Sequence, residues 1–292
     1  MVHIPVLQKE VLENLDPKPN ENFIDCTVSG GGHALAILEK TAPKGKLLGI
    51  DWDQEIIRNL KLISEKLKDR LILVNSNFAH LKEIVKKENF KLVKGILFDL
   101  GMSTWHLKES GRGFSFLKNE PLDMRYDLKN PLTAEKIINF WSEPEIERVL
   151  KEFSEEKFSG QIARQIIKER RVSVIKTTFQ LVKIIRKAVP ARYQYLKIHF
   201  ATRTFQALRI AVNDELNNVA AGLSQAADIL DTGGKIAVIS FHSLEDRIVK
   251  NFFKDKQNLL KIITKKPIIP TLKEIQINSS SRSGKLRVAT KI

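Results

Sequence analysis

A single cysteine in 292 residues leaves no partner for an intramolecular disulfide. With Cys26 the only thiol, a zinc-type ligand cluster is not expected either, and no metal site is assigned. Long apolar runs are missing. Leu71-Ile72-Leu73-Val74 is strand-length, far short of the roughly 20 residues that span a bilayer. Residues 1–10 have no apolar core and meet an acid early, which argues against a secretory signal and for residence in the cytoplasm. Neither G-x-G-x-x-G nor G-x-x-x-x-G-K-[ST] occurs, so dinucleotide and P-loop readings lose weight.

Positive charge is what the chain has in excess. Its net charge is +15, in an otherwise ordinary globular composition of 42% hydrophobic and 28% charged residues. Lys157 to Arg209 holds thirteen Lys or Arg against one acid, Glu169, and Arg247 to the C-terminus holds twelve against two. Those segments carry +12 and +10, leaving −7 for the remainder. Segregation of this kind suits a polyanion, because each neutralised phosphate releases condensed counterions. Solvated helix faces are the plainer alternative. An anionic membrane fits less well, since no basic amphipathic stretch carries aromatic anchors.

Short apolar segments alternate with helical spacing over the first hundred residues. Strands are expected at Phe23–Cys26, Lys46–Asp51, Leu71–Val74 and Gly95–Asp99, with helices beginning near His33, Gln54 and Leu81. That order predicts an α/β fold built on a mostly parallel sheet with crossover helices. The fifth strand, Lys235–Ser240, comes only about 135 residues later. The intervening chain reads as an inserted all-α domain. Ser142 with Glu145, and Thr177 with Gln180, have capping-box spacing, and Leu181, Ile184, Ile185 and Ala188 form an apolar stripe. The expected division is a sheet domain at 1–102, a helical substrate-recognition insertion at 103–197, and the second part of the sheet domain with a basic tail at 198–292. His199 to Leu230 is expected to be one long helical region, and Leu286–Ala289 a last strand.

In such a sheet, ligands bind beyond the carboxyl ends of the strands. The loop Thr27-Val28-Ser29-Gly30-Gly31-Gly32 lets backbone approach a ligand, and the helix that follows offers free N–H donors. Asp51 ends the second strand, where a carboxylate can accept from two ribose hydroxyls. These two features fit any adenosine-containing cofactor.

Longer strings narrow the choice. Asp25 to His33 is similar to the D-x-T-x-G-x-G-G-H loop of the bacterial small-subunit rRNA cytosine-N4 methyltransferases, the MraW-like family. His3-Ile4-Pro5-Val6-Leu7, Asp99-Leu100-Gly101-Met102-Ser103, Arg112 to Phe116 and Pro121 to Arg125 resemble the same family. So do Ala201 to Ile210, Ser240 to Arg247, Lys265 to Ile268 and Arg282 to Arg287, all in collinear order. The resemblance implies a class I methyltransferase (Rossmann-like) fold with a helical insertion. It implies methyl transfer from S-adenosylmethionine to the exocyclic N4 of a cytidine in the decoding centre of 16S rRNA, within the small ribosomal subunit. It places cofactor contacts at Gly31, Gly32, His33, Asp51, Phe78, Asp99 and His106. Ser29, His106 and Lys108 depart from the family pattern, which has glycine, glutamine and an acid there. The same chemistry on another nucleic acid, or a catalytically idle RNA-binding role in ribosome assembly, are the alternatives.

Transfer to an exocyclic amine needs linear approach, a dry pocket and an acceptor for the departing proton, but no covalent nucleophile. Cys26 is therefore expected to be a packed strand-end residue. Asp99 is the leading candidate for holding the amine, with cofactor ligation as its alternative role. His242 either serves catalysis, facing the target base or taking up a proton, or caps Glu245 or Asp246. Arg203, Ser240 and Arg247 are assigned to substrate. Arg203, Arg209 and Arg247 have pairing with Asp214, Glu215 or Asp246 as the competing role. Trp105 and Trp141 either stack on a flipped base or pack, and His199 is expected on a helix surface.

Overall fold

In the computed structural model, which describes residues 4–67 and 69–292, the chain divides into two compact units. His3 of the first family string lies outside the described residues. One unit comprises Met1–Gly101 with Leu216–Ile292, the other Met102–Glu215.

The first unit opens with α1 (Gln8–Leu15), β1 (Asn22–Asp25), α2 (Gly32–Lys40), β2 (Leu47–Asp51), α3 (Gln54–Ile63), β3 (Leu71–Asn75), α4 (Leu81–Lys87) and β4 (Val93–Asp99). The second unit supplies α5 (Thr104–Lys108), α6 (Ala134–Phe140), α7 (Glu143–Ser154), α8 (Ser159–Arg170), α9 (Thr178–Ala188), α10 (Ala191–Gln194) and α11 (Thr202–Asn213). The first unit then closes with α12 (Glu215–Ile229), β5 (Lys235–Ser240), α13 (Ser243–Asp255), β6 (Leu260–Ile262), α14 (Leu272–Ile277) and β7 (Lys285–Lys291).

The seven strands form one sheet in the order β3-β2-β1-β4-β5-β7-β6. β1 to β5 are parallel, and β7 runs antiparallel to both β5 and β6. Successive strand residues serve opposite faces, as the two-residue period requires. Ile24, Leu48, Ile96 and Ile236 face one core with Val219, Leu223 and Phe253, while Phe23, Leu47, Leu97 and Ala237 face another with Val11, Ala34 and Ile37. Both faces are therefore covered, which explains why the parallel strands read as nearly continuous apolar runs. Cys26 is buried in the first of these cores.

The regular elements of the second unit are helices, with a non-helical stretch at 109–133 between α5 and α6 and one bridge between Pro121 and Thr177. Both expected capping boxes form, at Ser142–Glu145 and Thr177–Gln180, and Leu181, Ile184 and Ile185 are buried. Its C-terminal limit differs from the expected 197. The region from His199 to Leu230 is two helices, because Asp214 turns left-handed at φ 49°. An Asp tolerates that conformation better than most residues. Asn213 fixes the break by donating to the Met124 carbonyl (2.7 Å) and accepting from the Tyr126 amide (2.9 Å), so α11 belongs to the helical unit. His199 is not a free surface residue either. Its ring stacks on Phe116 at 4.5 Å and on Phe200 at 4.2 Å.

Candidate functional site

β2, β1 and β4 are neighbours, and each ends in an aspartate: Asp51, Asp25 and Asp99. Asp51 accepts from the amides of Ser29 (3.1 Å) and Asp53 (3.0 Å). Asp25 accepts from the Thr27 amide at 3.1 Å, and Asp99 from the Gly101 amide at 3.4 Å. Thr27 stitches the strand ends together, its hydroxyl accepting from the Asp99 amide at 2.7 Å. Burial pushes all three carboxyls up to about 7, and the neighbouring acids add to the rise.

Between β1 and α2 the backbone bends tightly. Ser29 (φ 45°) and Gly31 (φ 79°) are both left-handed, so the serine that stands in place of the family's glycine accepts the conformation glycine favours. A β-carbon on Gly31 would lie 2.7 Å from the Leu60 side chain, and one on Gly32 would lie 2.3 Å from Pro5. Gly31 gives α2 no side-chain cap. The second residue of α2, His33, is buried, with Nε2 3.7 Å from an Asp99 carboxylate oxygen. Trp52, immediately after Asp51, packs at 5.9 Å against Phe78, which makes an edge contact of 5.5 Å with Phe98.

Gly31, Gly32, His33, Asp51 and Asp99 thus sit along the carboxyl ends of β1, β2 and β4, with Phe78 in the core below Trp52. Asp25 and Trp52 belong to the same edge and are absent from the sequence-based assignment. The signal for Asp25 is its position, one acid closing an apolar strand as Asp51 and Asp99 close theirs.

At the end of β5, His242 is the N-cap of α13 and forms a reciprocal capping box with buried Glu245. The Glu245 amide donates to His242 Nδ1 (3.4 Å), while Glu245 accepts from the Phe241 amide (2.8 Å). Of the two roles weighed for His242, the geometry displays the cap. Ser240 is buried, its hydroxyl 3.5 Å from the Lys285 carbonyl across the β5–β7 pair. Asp246 is gripped by Arg287 (2.7 and 3.2 Å), which leaves Arg247 on the exposed side of α13.

The other assigned residues lie in the helical unit. Arg203 donates to the Glu155 carbonyl at 2.8 Å, at the left-handed end of α7. His106 is buried in an aromatic cluster, with ring centroids 5.2, 5.0 and 4.8 Å from Trp105, Phe114 and Tyr126. Trp105 also carries the Arg112 guanidinium over its ring at 5.2 Å.

The strand order, the uncapped helix after β1 and the acid ending β2 define a class I methyltransferase fold. A protein from Clostridium thermocellum, provisionally called an rRNA methylase, shares this fold at a TM-score of 0.50 and 14% identity, covering 99% of this chain and 100% of that one. A profile of the MraW methylase family matches residues 1–292, and the chain belongs to that family. It is 46% identical to the ribosomal RNA small subunit methyltransferase H of Heliobacterium mobile, over 99% of each chain. With the protein of the same name from Thermosipho melanesiensis it shares 45% identity, over 99% of this chain and 98% of the relative.

Proposed function

We propose that the protein transfers a methyl group from S-adenosylmethionine to the exocyclic N4 of a cytidine in the decoding centre of 16S rRNA, within the small ribosomal subunit. The observation that carries the reading is the row of buried carboxylates beside the Gly31–Gly32 turn, in a chain whose relatives are named small-subunit rRNA methyltransferases.

The residues fit the cofactor. Asp51 has the chemistry to accept from ribose hydroxyls, and the first amides of α2 suit a carboxylate. Acidic Asp25 and Asp99 favour a cationic ligand between the glycine turn and β4. The cofactor supplies an electrophilic methyl group on its sulfonium. We assign Gly31, Gly32, His33, Asp51 and Asp99 to holding it, with Phe78 setting the position of Trp52 against the adenine.

Asp99 is the proposed catalytic residue. Its carboxyl, raised to about 7, exchanges a proton near neutral pH and suits an amine that must lose one. His33, 3.7 Å away, orients it. His242 acts as a positioning residue, through the cap that fixes the start of α13. Arg247 remains assigned to RNA phosphate. Arg203 and Ser240 act through the backbone carbonyls they reach, and His106 through the aromatic cluster that shapes its own loop.

The test is methyl transfer from labelled S-adenosylmethionine to small subunits that lack the modification, followed by nucleoside analysis. Label in N4-methylcytidine is expected. Label in another nucleoside, or none while the cofactor binds, overturns the reading.

A further inference from the structure

A second concavity runs along the β6 edge of the sheet unit, from Ile292 at the end opposite the carboxylates towards Arg287, two residues from Lys285. Ser240 pairs with Lys285 at the ligand edge, while Lys235 pairs with Thr290 at the far end, where the chain finishes at Ile292. Beside Ile292 a cavity of about 550 Å³ opens between α13 and the edge strand β6. Its floor includes the buried side chains of Phe253 and Leu260, and its rim carries Lys250, Lys254, Lys261 and Lys265.

The charge around this cavity is one-sided. No acid lines it. Its fifth cation, Arg287, is already neutralised by Asp246. Among the described residues none of the four lysines has a carboxylate within salt-bridge distance, and all four are exposed. Lys250 and Lys254 stand one helical turn apart on α13, a like-charge spacing that disfavours the helix in the free protein. A lysine on an exposed edge strand deters strand pairing, which accounts for Lys261. That explanation does not reach Lys250, Lys254 or Lys265. Four uncompensated ammonium groups around one apolar-floored hollow call for a ligand bearing several negative charges.

We propose that this cavity is a second RNA-docking surface, taking backbone phosphates of the substrate at nucleotides other than the one methylated. It rests on the reading of the protein as an RNA methyltransferase. β6 lies three strand positions from β4, where Asp99 stands, roughly 14 Å at about 4.8 Å per strand, and different nucleotides reach each. The cavity therefore contributes to affinity for a long RNA and not to the chemistry at the target base.

The experiment replaces Lys250, Lys254, Lys261 and Lys265 together by Gln and measures binding of a 16S rRNA transcript across a salt series. The slope of log affinity against log salt is expected to fall by roughly 0.7 to 0.9 for each phosphate that is no longer neutralised. Affinity for S-adenosylmethionine, read by calorimetry, is expected to stay unchanged. Replacement of Lys40, Lys61, Lys66 and Lys86, exposed lysines of the same unit, is the control and should leave the slope nearly intact. An unaltered slope in the first variant, or an equal fall in the control, overturns the proposal. So does polyglutamate displacing the transcript from the wild type but not from the first variant, which would make the cavity a site for acidic polypeptide. A wild type that binds the transcript but methylates no subunit defeats the functional reading instead, and the slopes still judge the cavity.

Discussion

In the helical unit Arg209 holds Glu215 through two hydrogen bonds of 2.8 Å, and Asp123 takes Arg125 at 2.9 and 2.7 Å. Glu156, buried in the same unit, accepts from the Phe158 amide and the Tyr193 hydroxyl. In the sheet unit the inward acids Asp25 and Asp51 accept from backbone amides and one hydroxyl, and both rise to about 7. Net charge does not separate the units. The helical one carries 21 basic against 14 acidic residues and the sheet one 28 against 20, net +7 and +8. What sets Asp25 and Asp51 apart, from the Arg209–Glu215 and Arg125–Asp123 pairs and equally from Asp246 with Arg287 in their own unit, is that neither carboxylate has a cationic partner among the described residues. A matched network holds a fold together, whereas carboxylates kept without cationic partners await a ligand that supplies donors or positive charge.

The sharpest way to break that comparison is to remove one member from each set. Glu215→Ala strands the Arg209 guanidinium in a largely buried position and should destabilise the protein by about 3–5 kcal/mol, read as a lowered denaturant midpoint. Asp51→Asn should instead weaken S-adenosylmethionine binding by about 1.5–3 kcal/mol, roughly 10- to 150-fold, since it removes a charged acceptor. Its unfolding free energy at pH 8 should be unchanged or higher, because a buried charge is gone. If Asp51→Asn costs as much stability as Glu215→Ala while cofactor affinity holds, Asp51 is part of the framework and not of the site.

Much of this is legible in the sequence, for reasons tied to local chemistry. Strands β1 to β5 announce themselves because both faces of the sheet are covered, so nearly every strand residue is apolar. Ser142–Glu145 and Thr177–Gln180 are legible because a capping box is local. β6 escapes because three residues on a sheet edge carry no pattern. The break at Asp214 escapes because Asn213 sets it through hydrogen bonds with residues 124 and 126, some 90 positions away. In the site, Gly31, Gly32 and Asp51 follow from backbone need and strand-end position. Asp25 has the same strand-end signal, masked by the glycine loop that begins beside it. Partner choice is the blind spot: Asp246 could face Arg247 or Arg287 on sequence alone, and only the register of β7 against β5 brings Arg287 to it.

The carboxylates also predict a pH dependence. Folded values near 7 against an ordinary 3.8 mean that the native protein keeps these protons longer than the unfolded chain. Their contribution to stability is then full below about 4 and lost as pH rises through about 7. Cofactor binding works in the opposite sense, since hydroxyl donors and positive charge favour the ionised acids. Affinity for S-adenosylhomocysteine should rise about tenfold between pH 6 and 8 for each carboxylate that must ionise, with proton release in calorimetry. Asp51→Asn should flatten the profile. A wild-type affinity independent of pH over that range would mean that the acids are already ionised, and the contrast between matched and unmatched acids would lose its electrostatic basis.

The smallest effect concerns the surface of the helical unit, where charge is meant for solvent or for RNA. Lys168, Arg171 and Lys176 are exposed, whereas their neighbour Arg170 spends its guanidinium on the carbonyls of Ile138 (2.9 Å) and Trp141 (2.6 Å). Arg170 is thus structural, and neutralising it would confuse binding with folding. Replacing Lys168, Arg171 and Lys176 by Gln should leave the denaturant midpoint within about 0.5 kcal/mol of wild type, the usual range for surface changes. Affinity for small-subunit rRNA should fall modestly, and the salt slope by roughly 0.7 to 0.9 for each phosphate these residues touch. Cofactor affinity should not move, because the carboxylates and the glycine turn belong to the other unit. If the variant binds and methylates subunits with an unaltered slope, these three cations are a solvated face, and the basic segment from 157 to 209 owes its composition to solubility and not to RNA.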